Sequence, residues 1–160
     1  KADYRGIPSC AAAKLFFGGN GSCIFGCLGF GDCARACPKG AICLRNGIAS
    51  IDPSMCIGCG ICAQTCPQKI IEVVPDIIRT EVLCSSQMNG AATKKACSNG
   101  CIGCKKCEKT CPNGAITVAN NLARIDWDKC TACGACAAAC PTGAMVHRDF
   151  SGAHRKTETA

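Results

Sequence analysis

Residues 101–112 read CIGCKKCEKTCP, which is Cys-x2-Cys-x2-Cys-x3-Cys-Pro, and the same spacing recurs from Cys56 to Pro67 and from Cys130 to Pro141. Cysteine supplies 20 of the 160 residues, a density that requires either disulfides or metal. Disulfides have no need of thiols set three residues apart in triplets. A four-iron cubane does, because one short loop grips three of its iron corners and a more distant thiolate takes the fourth. Zinc is the remaining rival, since four-cysteine zinc sites also use Cys-x2-Cys.

The rest of the composition fits a small soluble protein of a reducing compartment. The length suits one domain or two small ones. Aromatic residues make up 4% of the chain, so inorganic cores are expected to replace much of the apolar core and folding to be linked to metal loading. No apolar run approaches the ~18 residues needed to cross a bilayer, and no signal-peptide pattern is present. The formal charge of +7 would suggest an acidic partner. The ligating thiolates of four clusters would bring the loaded chain close to neutrality, which removes the whole-chain argument for nucleic-acid binding.

Along the chain a unit is copied with an offset of 74 residues. Cys10, Cys23, Cys27, Cys33, Cys37, Cys56, Cys59, Cys62 and Cys66 return as Cys84, Cys97, Cys101, Cys107, Cys111, Cys130, Cys133, Cys136 and Cys140. Two Cys-rich segments in each unit flank a predicted β-hairpin. In the first unit its strands are 41–44 and 48–51 around Asn46-Gly47, and in the second 115–118 and 122–125 around Asn120-Asn121. Between the third and fourth Cys of each motif the spacing predicts a short helical turn, stopped by the following proline.

These motifs resemble the two-cluster bacterial ferredoxin, present twice. The resemblance implies an α+β fold of two tandem ferredoxin-like domains, residues 1–76 and 77–146, with 147–160 a polar, disordered tail. It also implies that the fourth Cys of each motif crosses to the neighbouring cluster. Carried over, Cys101, Cys104, Cys107 and Cys140 hold one [4Fe-4S] cluster, Cys130, Cys133, Cys136 and Cys111 a second, and Cys56, Cys59, Cys62 and Cys37 a third. Glycines such as Gly58, Gly60, Gly103 and Gly134 let the backbone wrap so that N–H groups can point at sulfur.

At the fourth site the pattern breaks, because Phe30 stands where the repeat would place the counterpart of Cys104. Cys23 is the expected substitute, completing Cys23, Cys27, Cys33 and Cys66; the alternative is a [3Fe-4S] cluster on Cys27, Cys33 and Cys66, or a lost or water-ligated site. Against Cys23 stands the presence of Cys97 beside a complete motif. Cys10, Cys43, Cys84 and Cys97 have no assigned role. Cys10 and Cys84 read either as inherited small buried hydrophobes or as an extra ligand or thiol pair beside a cluster, and Cys43 reads as a strand residue.

Catalytic machinery is not in view. His147 and His154, the only histidines, fall in the expected tail. Gly18-Gly19-Asn20-Gly21 and Gly29-Phe30-Gly31 lack a nucleotide-binding frame and read as turns. Asp126 and Asp128 read as ordinary loop acids and Trp127 as packing. Lys94, Lys95, Lys105, Lys106 and Lys109 form either a solvated face or a docking surface for an acidic carrier.

Finally, Cys10 to Gly31 (CAAAKLFFGGNGSCIFGCLGFG), a strand over Val82-Leu83-Cys84-Ser85-Ser86, and CSNGCIGCKKCEKTC from Cys97 resemble the C-terminal ferredoxin-like part of the B-type subunit of the Rnf complex. That complex is a membrane-associated ferredoxin:NAD oxidoreductase of anaerobic bacteria. The resemblance implies electron uptake from soluble ferredoxin or flavodoxin on the cytoplasmic side, and delivery to flavin-containing and membrane subunits, with no catalytic site in this segment. Members also carry an N-terminal membrane helix and a further iron-sulfur segment. Neither is recognisable in residues 1–160, so the expectation is a fragment or the ordered portion of a longer chain. An independent soluble polyferredoxin and a zinc-bound interaction module are the competing readings.

Overall fold

The computed structural model describes residues 4–16, 18, 19, 21–75 and 79–148, and within them the 74-residue repeat becomes two units of one plan. The first contains α1 (Cys10–Leu15), α2 (Asp32–Arg35), β1 (Ile42–Arg45), β2 (Ile48–Ile51) and α3 (Ile61–Thr65). In the second are β3 (Thr80–Val82), α4 (Gly90–Ala96), α5 (Lys106–Thr110), β4 (Ile116–Ala119), β5 (Leu122–Ile125), α6 (Ala135–Ala139) and β6 (Met145–His147). This is the expected α+β architecture of small hairpins and short helices.

Both hairpins are set by their two-residue turns. Asn46 and Gly47 have φ of 50° and 74°, Asn120 and Asn121 of 49° and 62°, the left-handed pair that a type I′ turn requires and that matches the twist of the strands. Ile42 therefore faces Ile51, and Ile116 faces Ile125. The second strands have the expected bounds, while the first strands begin and end one residue later than the sequence suggested: Arg45 and Ala119 close the ladders, because the loop takes only two residues.

The helices α3, α5 and α6 each end at a motif's fourth cysteine. Cys66, Cys111 and Cys140 have extended ψ of 112°, 115° and 114°, as expected where a proline follows and its ring disfavours the helical region. The alanine-rich helix α1, which follows Ser9, was not anticipated from the sequence; α4, whose Asn89 side chain caps the Ala92 N–H, carries Lys94 and Lys95 of the expected basic face.

The core is small. In the second unit Cys107, Ile116, Ala123, Cys136 and Met145 cluster; in the first, Cys10, Ala13 and Leu28 do so, with Tyr4 and Phe30 against them. The strand expected over 82–86 stops at Val82, where β3 pairs antiparallel with β6; only one further bond, Leu83 N–H to the Ala144 carbonyl at 2.8 Å, continues the ladder. His147, assigned to the tail by the sequence reading, is instead the last residue of β6, its Nδ1 3.0 Å from Thr80 Oγ1. His154 and the rest of the expected tail, 149–160, lie outside the described residues, as does the boundary expected at 76–77. The units meet where Ser85 Oγ donates to the Phe25 carbonyl at 2.7 Å. Among the described residues, no helix is long and apolar enough to cross a membrane.

Candidate metal centres

In the second unit the fold assembles two four-thiol sites, each from two separate motifs. Cys130, Cys133 and Cys136 line one depression, and the thiol that completes it is Cys111, from the other motif. Cys101, Cys104 and Cys107 line another, completed by Cys140. The walls between the sulfurs are largely apolar, including Ile116 and Ile125 in one site and Val118, Ala123 and Met145 in the other.

The local backbone explains how three thiols of one short loop converge. Each motif has two left-handed positions straddling its second cysteine: Gly58 and Gly60, Gly103 and Lys105, Ala132 and Gly134. The reversal turns successive side chains inward, and the second left-handed residue then starts the helix bearing the third cysteine. Lys105 and Ala132 hold this conformation without the freedom of glycine, at a cost of ~1–2 kcal/mol each. The loop geometry, not glycine itself, is what the motif needs.

Electrostatics mark the same groupings. Burial pushes the Cys107 thiol up to about 11; the Glu108 N–H opposes this, and Cys101, Cys104 and Cys140 add to it. Burial likewise raises Cys136, against the N–H groups of Ala137 and Cys136 and with Cys111 and Cys130 adding. Cys140 goes the other way: burial works to raise it, but the N–H groups of Met145, Thr142 and Ala144 and the Thr142 hydroxyl outweigh it. An N–H also reaches Cys111 Sγ from Ala115 at 3.3 Å. Such donors favour thiolate, the form that binds iron, and tune a cluster's potential.

The first unit repeats the arrangement in part. Burial raises Cys62, opposed by the N–H groups of Ala63 and Cys62 and reinforced by Cys56 and Cys59. Cys37 follows α2, which packs on α3. In the site interrupted by Phe30, burial raises the Cys33 thiol, and Cys27, Cys10 and Cys66 add in that order. Cys10 thus stands among these thiols, a placement the sequence reading left open. Cys23, the expected substitute, is half-buried at the start of a turn closed by the Gly26 N–H on its carbonyl at 3.1 Å.

All twenty cysteines are free thiols. Among the described residues no three His, Cys, Asp or Glu side chains converge on a single-ion position. A tetrahedral zinc site, with Zn–S of about 2.3 Å, draws its sulfurs to within roughly 3.8 Å of one another, whereas a cubane holds each thiolate on a different iron. The donor chemistry and its spread fit clusters. Asp126 acts within its turn: Lys129 pairs with it at 3.1 Å and, with local N–H donors, holds its carboxyl below the ordinary range. Cys43, exposed on β1, donates weakly to the Ser50 carbonyl, and Trp127 is half-buried.

Three family profiles match the chain: a 4Fe-4S dicluster domain over residues 100–144, a 4Fe-4S binding domain over 49–72 and a second such domain over 22–41. The B-type subunit of a proton-translocating ferredoxin:NAD(+) oxidoreductase complex from Clostridium ljungdahlii is 51% identical over 129 residues, 80% of this chain and 45% of the relative. Over that stretch the chain is similar to this B-type subunit. The corresponding subunit of the Na(+)-translocating complex from Acetobacterium woodii is 39% identical over 81% of this chain and 39% of its own length. Its counterpart in an ion-translocating oxidoreductase complex of Methanosarcina acetivorans is 44% identical over 81% and 49%. The chain thus spans less than half the length of these B-type relatives. A chain of the formate dehydrogenase, heterodisulfide reductase and formylmethanofuran dehydrogenase complex from Methanospirillum hungatei covers 77% of this chain and 52% of its own length, at 21% identity. Its TM-score of 0.27 is too low to define a shared overall arrangement.

Proposed function

We propose that this chain is an electron relay carrying four clusters, within a membrane-associated complex that oxidises reduced ferredoxin and reduces NAD. The observation that carries this reading is the pairing of motifs: each second-unit site takes three thiols from one loop and its fourth from the other. Bound there, [4Fe-4S] clusters supply one-electron transfer. The chain's own groups hold the thiolates, keep the walls apolar and aim N–H donors at sulfur. Cys104 and Cys133 are exposed, which suits exchange with an external carrier. Lys94, Lys95, Lys105, Lys106 and Lys109 are also exposed, the last three on or just after the Cys104 loop, where they would receive an acidic ferredoxin or flavodoxin on the cytoplasmic side and favour encounter.

An independent polyferredoxin would be covered by polar groups throughout. Here twelve large apolar side chains are exposed among the described residues, eleven of them between Ile7 and Val73, which favours a subunit that covers its first half by docking to flavin-containing or membrane subunits.

The test is iron and acid-labile sulfide content of anaerobically prepared chain, with low-temperature EPR before and after reduction and stopped-flow reduction by ferredoxin. About 16 irons with matching sulfide, and interacting signals only after reduction, are expected. Zinc without sulfide, or clusters that reduced ferredoxin leaves oxidised, would overturn the proposal.

A further inference from the structure

We propose that Cys10 supplies the fourth thiolate of the site on Cys27, Cys33 and Cys66, replacing the loop cysteine that Phe30 displaces; this rests on the iron-sulfur reading above. The loop is still built for a cluster. Gly29 and Gly31, both at φ 77°, reproduce the left-handed pair Gly103 and Lys105 around Cys104. The thiol at the middle position is what has been lost, with Phe30 in its place. The Phe30 ring turns to Tyr4, edge-on with centroids 5.4 Å apart, and lies against the buried Cys10, Ala13 and Leu28.

The helix that carries Cys10 is fastened to the neighbours of all three remaining thiols. Ser9 Oγ and the Ala11 N–H both bind Asp32 Oδ2, at 2.9 and 3.1 Å, and Asp32 precedes Cys33. Lys14 Nζ donates to the carbonyl of Pro67, which follows Cys66. Leu28, which follows Cys27, packs with Cys10 and Ala13. Cys10 itself is 8% exposed, and its thiol is among the charged neighbours of Cys33.

The second unit supplies the control. Cys84, at the repeat position of Cys10, accepts the Cys101 N–H at 3.2 Å, so this position lies beside the corresponding site in both units. Where Cys104 completes the loop, the thiol stays a neighbour; where Phe30 interrupts it, the thiol becomes a ligand. By contrast Cys23 is not among the thiols that act on Cys33, and the turn after it is held through the Ile24, Gly26 and Phe25 carbonyls by Gln68 and Ser85. Its counterpart Cys97 is exposed at the end of α4. Ligation at Cys10 releases the thiol proton and forms one Fe–S bond, with no change in oxidation state.

The whole chain would be prepared anaerobically as wild type, Cys10→Ala, Cys23→Ala and Cys10→Ala with Phe30→Cys, then assayed for iron, sulfide and EPR of the oxidised protein. The wild type and Cys23→Ala should carry about 16 irons and no oxidised signal; Cys10→Ala should fall to about 15 with a three-iron signal, and the double variant should recover. If Cys10→Ala proves too unstable to load, recovery of the full iron complement in the double variant still identifies a missing ligand, and failure to recover overturns the proposal. A wild type already showing the oxidised signal, an unchanged Cys10→Ala, or iron loss in Cys23→Ala would also overturn it. Zinc, or absence of sulfide, in the wild type would instead remove the iron-sulfur reading itself.

Discussion

The two units share a plan, yet the second closes on itself and the first does not. In the second, β3 and β6 zip its two ends together over the hairpin. The repeat-matched residues of the first, 6–8 and 71–73, form no strands, and Pro8 stands at the position of Val82 with no N–H to give a ladder. The hairpins record the result: Ile48 is 59% exposed, its counterpart Leu122 5%. The same contrast runs over the surface. Ile24, Met55, Ile57 and Val73 are exposed where the second unit has Ser98, Lys129, Thr131 and His147. Duplication preserved the ligand frame, while the outer coats diverged toward a self-sufficient unit and one suited to being covered.

Metal removal should produce the largest effect and expose the comparison most directly. Metal–thiolate sites in small domains contribute on the order of 10 kcal/mol to folding, far more than these small apolar clusters supply. Chelation under reducing conditions is therefore expected to unfold most of both units. Hydrogen exchange during iron loss should show β1 and β2 opening before β4 and β5, because only the latter hairpin lies under a closing ladder and over a five-residue core. A first-unit hairpin that outlasts the second would break the contrast.

Transplanting second-unit polarity onto the first, as Met55→Lys with Ile57→Thr, tests what the apolar coat is for. Two side chains that are already exposed make little difference to the isolated fold, so iron content should not change. If a partner covers them, each contributes about 1.5–3 kcal/mol to docking, and assembly with the other subunits should weaken roughly a hundredfold or more. Unchanged assembly, read by pull-down with intact subunits, would assign the apolar coat no role in docking.

On the second unit, Lys105→Glu with Lys106→Glu should slow reduction by ferredoxin about tenfold at low salt, with the difference shrinking as ionic strength rises. Equal rates at all salt concentrations would place the docking surface elsewhere.

The local parts of this molecule were legible and the non-local ones were not. Cys-x2-Cys-x2-Cys-x3-Cys-Pro specifies loop, helical turn and stop within twelve residues, and Asn46-Gly47 specifies its own turn. The fourth-ligand problem is different in kind. Cys23 stands out because it lies four residues before Cys27, but the position of Cys10 depends on a helix held by Asp32 and the Pro67 carbonyl, whose bonds to Ala11 and Lys14 span 21 and 53 residues of sequence. No spacing rule reaches that far. One signal was available: Cys10 and Cys84 recur at the same repeat position. The asymmetric coat could also have been read by setting Met55 against Lys129 and Ile57 against Thr131.

The smallest effects should come from the first left-handed position of each cluster loop, where the repeats differ in what the backbone approaches. Ala132 holds φ 54° with a Cβ already in place. Ala132→Gly relieves ~1–2 kcal/mol of conformational cost and returns ~0.5–1 kcal/mol of chain entropy, so the loaded protein should gain a few tenths to one kcal/mol. At Gly58 an added Cβ meets nothing within 4 Å, and Gly58→Ala should cost only that same small balance with its sign reversed. A Cβ at Gly29 would lie 2.5 Å from the Gly47 carbonyl oxygen, where the loop presses on the hairpin turn, so Gly29→Ala adds a backbone displacement and should be the most damaging of the three. Thermal denaturation of anaerobic, fully loaded variants reads the order Ala132→Gly above wild type, then Gly58→Ala, then Gly29→Ala. Equal losses at Gly58 and Gly29 would mean that conformation alone, and not contact with the hairpin, sets the requirement at this position.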